Sequence, residues 1–65
     1  MEEWEKRLQW FKDRIGKRIY RYDVSCECEV CKAVGAHGLI IADDMHAHYL
    51  FDCEAELGIV YRDEP

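Results

Sequence analysis

Three cysteines crowd into the run Cys26-Glu27-Cys28-Glu29-Val30-Cys31, and a fourth, Cys53, follows downstream with His37, His46 and His48. Thiolates are soft ligands, and a Cys-x-Cys-x2-Cys run offers three of them from one short loop, for which zinc is the usual guest. The Cys28-x2-Cys31 spacing lets a tight turn aim both sulfurs at one ion. Cys26 stands two residues before Cys28, on the same side of an extended chain, and so serves as a third ligand.

The fourth ligand must come from downstream. His46 is expected to supply it, from the first turn of a helix. Cys53 shares that helical face seven residues later, about 10 Å further along the axis. That separation is too great for both to reach one zinc, so Cys53 is the alternative and His37 a third candidate. Each has a plainer reading. His46 can cap its helix, Cys53 can be a small buried apolar residue, and His48 points away as a solvated polar group. Disulfides are the competing use of the thiols. The acidic start Met1-Glu2-Glu3-Trp4-Glu5 has no apolar leader character, so a reducing cytoplasmic setting is expected. Cys26 and Cys28 also lie too close to pair with each other.

The expected zinc is structural and the chain non-enzymatic. A catalytic zinc keeps an open position for water and a nearby carboxylate base. Three thiolates donate so much charge that the ion becomes a poor Lewis acid. The His-x-Glu and Pro-Cys-x2-Cys pair of the zinc deaminases is absent. A small metal-dependent nuclease or hydrolase stands as a second alternative.

The elements that must position these ligands can be read from periodicity. Residues 2–15 form an amphipathic helix with Trp4, Leu8, Phe11 and Ile15 on one face, glutamates at its start and basic residues at its end. Residues 18–24 read as a strand and residues 26–31 as the knuckle. Residues 39–42 form a second short strand. Asp43-Asp44 caps a second helix over 44–57, with the stripe His46, Tyr49, Leu50, Cys53 and Leu57. A last strand spans 59–62, and Asp63-Glu64-Pro65 is a polar tail. The fold class is α+β: one zinc-stabilised domain over 1–65, with a small sheet carrying helices on one face. A chain of this size needs a staple, because its core alone gives only about 3–5 kcal/mol.

Charge divides the chain. The net charge is −5, yet residues 6–21 carry seven basic groups against Asp13, and residues 22–65 hold ten acids against Lys32 and Arg62. The acidic whole argues against non-specific nucleic-acid binding, and no apolar stretch is long enough to span a membrane. Trp10 falls about 120° from the apolar stripe, among Lys6, Arg7, Arg14 and Lys17, which suits the anchor of a protein partner. Arg18, Tyr20, Arg21 and Tyr22 interleave cations with aromatics, as single-strand binders do. The plainer reading is an edge strand charged against aggregation. A protein partner is the expected function, and a nucleic-acid-binding knuckle is the alternative.

The stretch Gly16-Lys17-Arg18-Ile19-Tyr20, Cys28-x2-Cys31, Gly38-Leu39-Ile40-Ile41, His46-Ala47-His48-Tyr49-Leu50-Phe51-Asp52 and Gly58-Ile59-Val60-Tyr61 resembles short zinc-knuckle proteins encoded by phages and prophages. The resemblance covers about residues 16–61 and leaves the first helix outside. It implies Cys28, Cys31 and His46 as ligands, and a host or defence protein as partner. The knuckle-strand-helix order is also similar to treble-clef zinc folds. It departs from them because the helix has no second ligand at the usual Cys-x2-Cys spacing, a ligand whose place Cys26 would take.

Overall fold

The structure is a computed structural model and describes residues 1–23 and 26–64. Helix α1 spans Glu3–Lys12, β1 Arg18–Tyr22, α2 Glu29–Val34, β2 His37–Ile40, α3 Asp44–Leu57 and β3 Val60–Arg62. The strands form one antiparallel sheet in the order β2-β1-β3. The α+β class expected from the sequence is therefore the architecture observed. Val24, the expected end of the first strand, and Pro65, the expected end of the tail, lie outside the described residues.

Helix α1 stops three residues short of its expected end. After Lys12 the turns tighten, with the Arg14 N–H donating to Phe11 O at 3.1 Å and the Ile15 N–H to Lys12 O at 3.3 Å. Gly16 then takes a φ of 78°, a left-handed conformation that suits glycine, and its N–H donates to Ile41 O. The Ile41 N–H returns a bond to Lys17 O at 3.0 Å, so the end of α1 is tied to the end of β2. Ile15 is thereby turned away from the helix face and is exposed.

The core is Phe11, Ile19, Ile41, Ala47 and Tyr61, with Trp10, Leu39, Leu50, Phe51 and Ile59 packed around it. Phe11 makes edge-on ring contacts with Trp10, Phe51 and Tyr61 at centroid distances of 5.0, 6.4 and 5.6 Å. Both long helices are rotated from the face periodicity suggests, keeping Phe11 and Leu50 against the core but exchanging other members of the stripe. In α1 the inward set is Arg7, Trp10 and Phe11, while Trp4 is 57% exposed. In α3 it is Ala47, Leu50, Phe51 and Glu54, while Tyr49 and Leu57 are 65% and 68% exposed.

The reason is an ion pair built into the helix seam. Arg7 Nε and Nη2 donate to the two Glu54 carboxylate oxygens, each at 2.5 Å, and Nη2 also donates to Tyr61 O at 2.5 Å. The Tyr61 N–H donates to Glu54 Oε1 at 3.2 Å. One bidentate pair thus joins α1, α3 and β3 and satisfies the Tyr61 backbone on both sides. Arg7 and Arg14 also place their guanidinium carbons 4.2 and 4.0 Å from the Trp10 ring centre. Trp10 is consequently half-buried between two cations, not the exposed anchor expected of it.

Strand register sorts the sheet into two faces. Ile19 pairs with Leu39, and Arg21 pairs with His37 on one side and Tyr61 on the other, which places these residues on the core face. Arg18, Tyr20 and Tyr22 alternate onto the opposite face, with their partners Ile40, Gly38, Arg62 and Val60.

Candidate metal centre

The ligands sit on the connection between β1 and β2. Just past β1, the Cys26 N–H donates to Asp23 O at 3.1 Å. Cys28 is the N-cap of α2, with φ −67° and ψ 161°, and its Sγ accepts from the Cys31 N–H at 3.5 Å. Cys31 lies in the first turn of α2, a short helix that sequence periodicity did not reveal. Gly35, at φ 78°, ends α2 and turns the chain into β2, whose first residue is His37.

Cys26, Cys28, Cys31 and His37 converge so that their four ligand atoms all lie within 4.8 Å of one another. His37 Nε2 stands 3.5 Å from Cys26 Sγ and 3.0 Å from Cys28 Sγ. Zinc bond lengths put ideal tetrahedral edges at about 3.8 Å between sulfurs and about 3.5 Å between sulfur and nitrogen. The donor set and its spacing therefore fit a four-coordinate zinc. Antiparallel pairing of His37 with Arg21 fixes the imidazole beside the point where the chain leaves β1 for the cysteine loop. Zinc in this site would pin both ends of that connection together.

Electrostatics favour a divalent cation here. The Cys31 N–H, a donor to sulfur, lowers the Cys28 thiol to about 7. Desolvation, followed by competition with Cys26 and Cys28, pushes the Cys31 thiol up to about 12. Three thiolates cannot all ionise side by side without a cation, so metal binding must displace protons. Arg21 lies nearby and donates to Asp23 Oδ2 at 2.9 Å. That bond raises its guanidinium further, with Tyr61 and Cys26 adding to the effect.

The expected helical ligands stand elsewhere. Asp43 caps α3, and His46 in the first turn is engaged with that cap: its N–H donates to Asp43 Oδ1 at 2.9 Å, and its Nδ1 lies 2.8 Å from the same oxygen. These contacts hold the Asp43 carboxyl below the usual carboxylate range. The alternative ligand, Cys53, is a partly buried thiol whose neighbours include Tyr49, and it is outside the cluster. His48 is exposed, 3.8 Å from Asp44. His37 takes the place expected of His46 because the unforeseen α2 brings the chain back within six residues of Cys31. A signal was present: a ligand so close in sequence costs less loop entropy than one fifteen residues away.

Of the residues expected to meet a partner, Trp10, Arg14 and Arg21 have internal roles. Arg14 donates from Nε and Nη2 to Asp63 at 2.7 and 2.9 Å, and from Nη1 to Trp10 O at 2.9 Å. Arg18, Tyr20 and Tyr22 share the outer sheet face. Among the described residues no helix is long and apolar enough to cross a membrane. No family model matches the chain, and comparison with curated proteins and with solved structures finds no match.

Proposed function

We propose that this chain is a non-catalytic interaction module whose fold is completed by one structural zinc. Cys26, Cys28, Cys31 and His37 would hold the ion, and its contribution is cohesion of the β1–β2 connection. The observation that carries this reading is the closed ligand set, four protein donors within 4.8 Å. Catalytic zinc keeps a position for water, whereas structural zinc is fully enclosed by protein ligands. A thiolate-rich shell also leaves the ion little capacity to polarise a substrate. Activity then rests on surfaces that the zinc-bound frame displays.

Cobalt(II) substitution tests this directly. A closed site of three sulfurs and one nitrogen gives intense tetrahedral ligand-field bands that added azide leaves unchanged. Bands that shift with azide, or with ionisation of a bound water, would show an open position and contradict the structural role.

A further inference from the structure

The sheet covers the core on one side and presents the other to solvent. Arg18, Tyr20 and Tyr22 of β1 project outward there with Ile40 of β2 and Val60 and Arg62 of β3. Ile40 is 63% exposed and Val60 39%. No residue of the three strands is acidic, and among them the charged residues on this face are Arg18 and Arg62, within a chain of net charge −5. Neither Arg18 nor Arg62 joins an ion pair among the described residues, unlike Arg7, Arg14 and Arg21.

The tyrosines are placed as platforms. They stand two residues apart on one strand, about 6.8 Å along it, a reach comparable to one nucleotide of an extended single strand. Gly38 lies opposite Tyr20, and a Cβ there would meet Tyr20 Cε1 at 3.5 Å and Arg18 Cδ at 3.4 Å. The Tyr20 ring therefore leans across the glycine and lies along the sheet. Arg62 holds its guanidinium carbon 5.6 Å from the Tyr22 ring centre, so that ring already accepts a planar cation on its face. Beyond Tyr22 a cleft of about 280 Å³, lined by Asp23, Cys26, Cys31 and Gly35 as well, runs to the metal loop.

We propose that this outer face binds single-stranded nucleic acid, with bases stacked on Tyr20 and Tyr22 and phosphates held by Arg18 and Arg62. The proposal rests on the interaction-module reading and supplies its partner. Stacking on aromatics is tolerant of sequence, and two arginines outside any ion pair among the described residues give this face charge complementarity to phosphates. An incoming base takes the place of Arg62 on the Tyr22 ring and frees that guanidinium for the adjoining phosphate. Arg21, on the core face and bonded to Asp23, takes no part.

The test is fluorescence anisotropy of zinc-loaded full chain with labelled oligouridylate and oligodeoxythymidylate of about eight nucleotides. The expected result is saturable binding at low salt, with a log–log salt slope of about −1.4 for two phosphate contacts. Tyr20→Ala and Tyr22→Ala should each weaken binding about 5- to 150-fold. Arg18→Ala and Arg62→Ala should each reduce the slope by about 0.7. Tyr49→Ala, at an exposed tyrosine on α3, should change nothing. Circular dichroism and zinc content, measured on every sample, separate misfolding from lost contacts.

Folded, zinc-loaded protein that binds neither oligonucleotide overturns the proposal and leaves the metal reading intact. Full binding by a Tyr20→Ala, Tyr22→Ala double variant overturns it too. So does a face whose substitution alters only self-association in sedimentation, which would assign it to contact between copies. Oligonucleotide binding by folded protein without zinc would support this proposal and contradict the metal one.

Discussion

Of the three histidines, His37 is the one that joins the cysteine cluster. His37 opens β2 and turns Nε2 toward the cysteine loop, while His46 is engaged with Asp43 at the start of α3. The sulfurs set the proton balance. Cys28, at about 7, is mostly thiolate above neutrality, whereas Cys31, pushed up to about 12, keeps its proton throughout the working range. Zinc must displace the Cys31 proton at any such pH, and must also displace that of Cys28 once the pH falls below about 7. Proton release on zinc binding should therefore rise, and affinity fall more steeply, as pH drops through 7. Calorimetry in buffers of different ionisation enthalpy reads that number; release independent of pH between 6 and 8 would contradict the assignment. Arg7 and Glu54 pose a second residue-scale question. With side chains 31% and 18% exposed, the pair is only partly shielded, and Glu54→Ala should cost about 2–3 kcal/mol in urea unfolding of zinc-loaded protein. A loss under about 0.5 kcal/mol would show that solvent replaces the carboxylate.

At the scale of elements, two glycines make a controlled comparison. Gly35 and Gly58 both end helices at positive φ, 78° and 70°, where an alanine is strained by about 1–2 kcal/mol. Gly35 sits between Cys31 and His37, so Gly35→Ala should lower both stability and zinc affinity. Gly58→Ala should lower stability alone, as zinc titration beside thermal unfolding would show. Phe11→Ala removes the ring about which both long helices pack and should cost about 3–5 kcal/mol. These elements were unevenly legible in the sequence. Asp43 and Gly58 mark α3, and its span is the one expected. The strand around Ile19 was clear from its β-formers. The facing of the helices was legible only in part: Phe11 and Leu50 lie on the expected stripes, but α3 also turns Ala47 and Glu54 inward and α1 turns Arg7 inward. Hydrophobic periodicity passes over an alanine, an arginine stem and a carboxylate that has found its cation. Helix α2 is not legible, because its six residues are too few to show a period. Without α2 no element read from the sequence brings His37 back to the cysteine loop, whereas all three cysteines of the cluster are legible from spacing alone.

For the whole molecule, the balance between core and staple matters most. Among the described residues the fully buried large side chains are Phe11, Ile19 and Ile41. So small a core leaves little margin, whereas a structural zinc brings about 10–16 kcal/mol of apparent binding energy, much of it expressed as folding. Chelation should accordingly abolish cooperative thermal unfolding, and near-ultraviolet dichroism should return when zinc is restored. A metal-free chain that still melts cooperatively at the same temperature would show that the helix seam and sheet suffice. The central claim, a zinc held by Cys26, Cys28, Cys31 and His37, is tested most directly by native mass spectrometry of the wild type, His37→Ala and His46→Ala. One zinc in the wild type and in His46→Ala, with loss in His37→Ala, is the predicted result. Zinc retained by His37→Ala and lost from His46→Ala, or absent from all three, would contradict it.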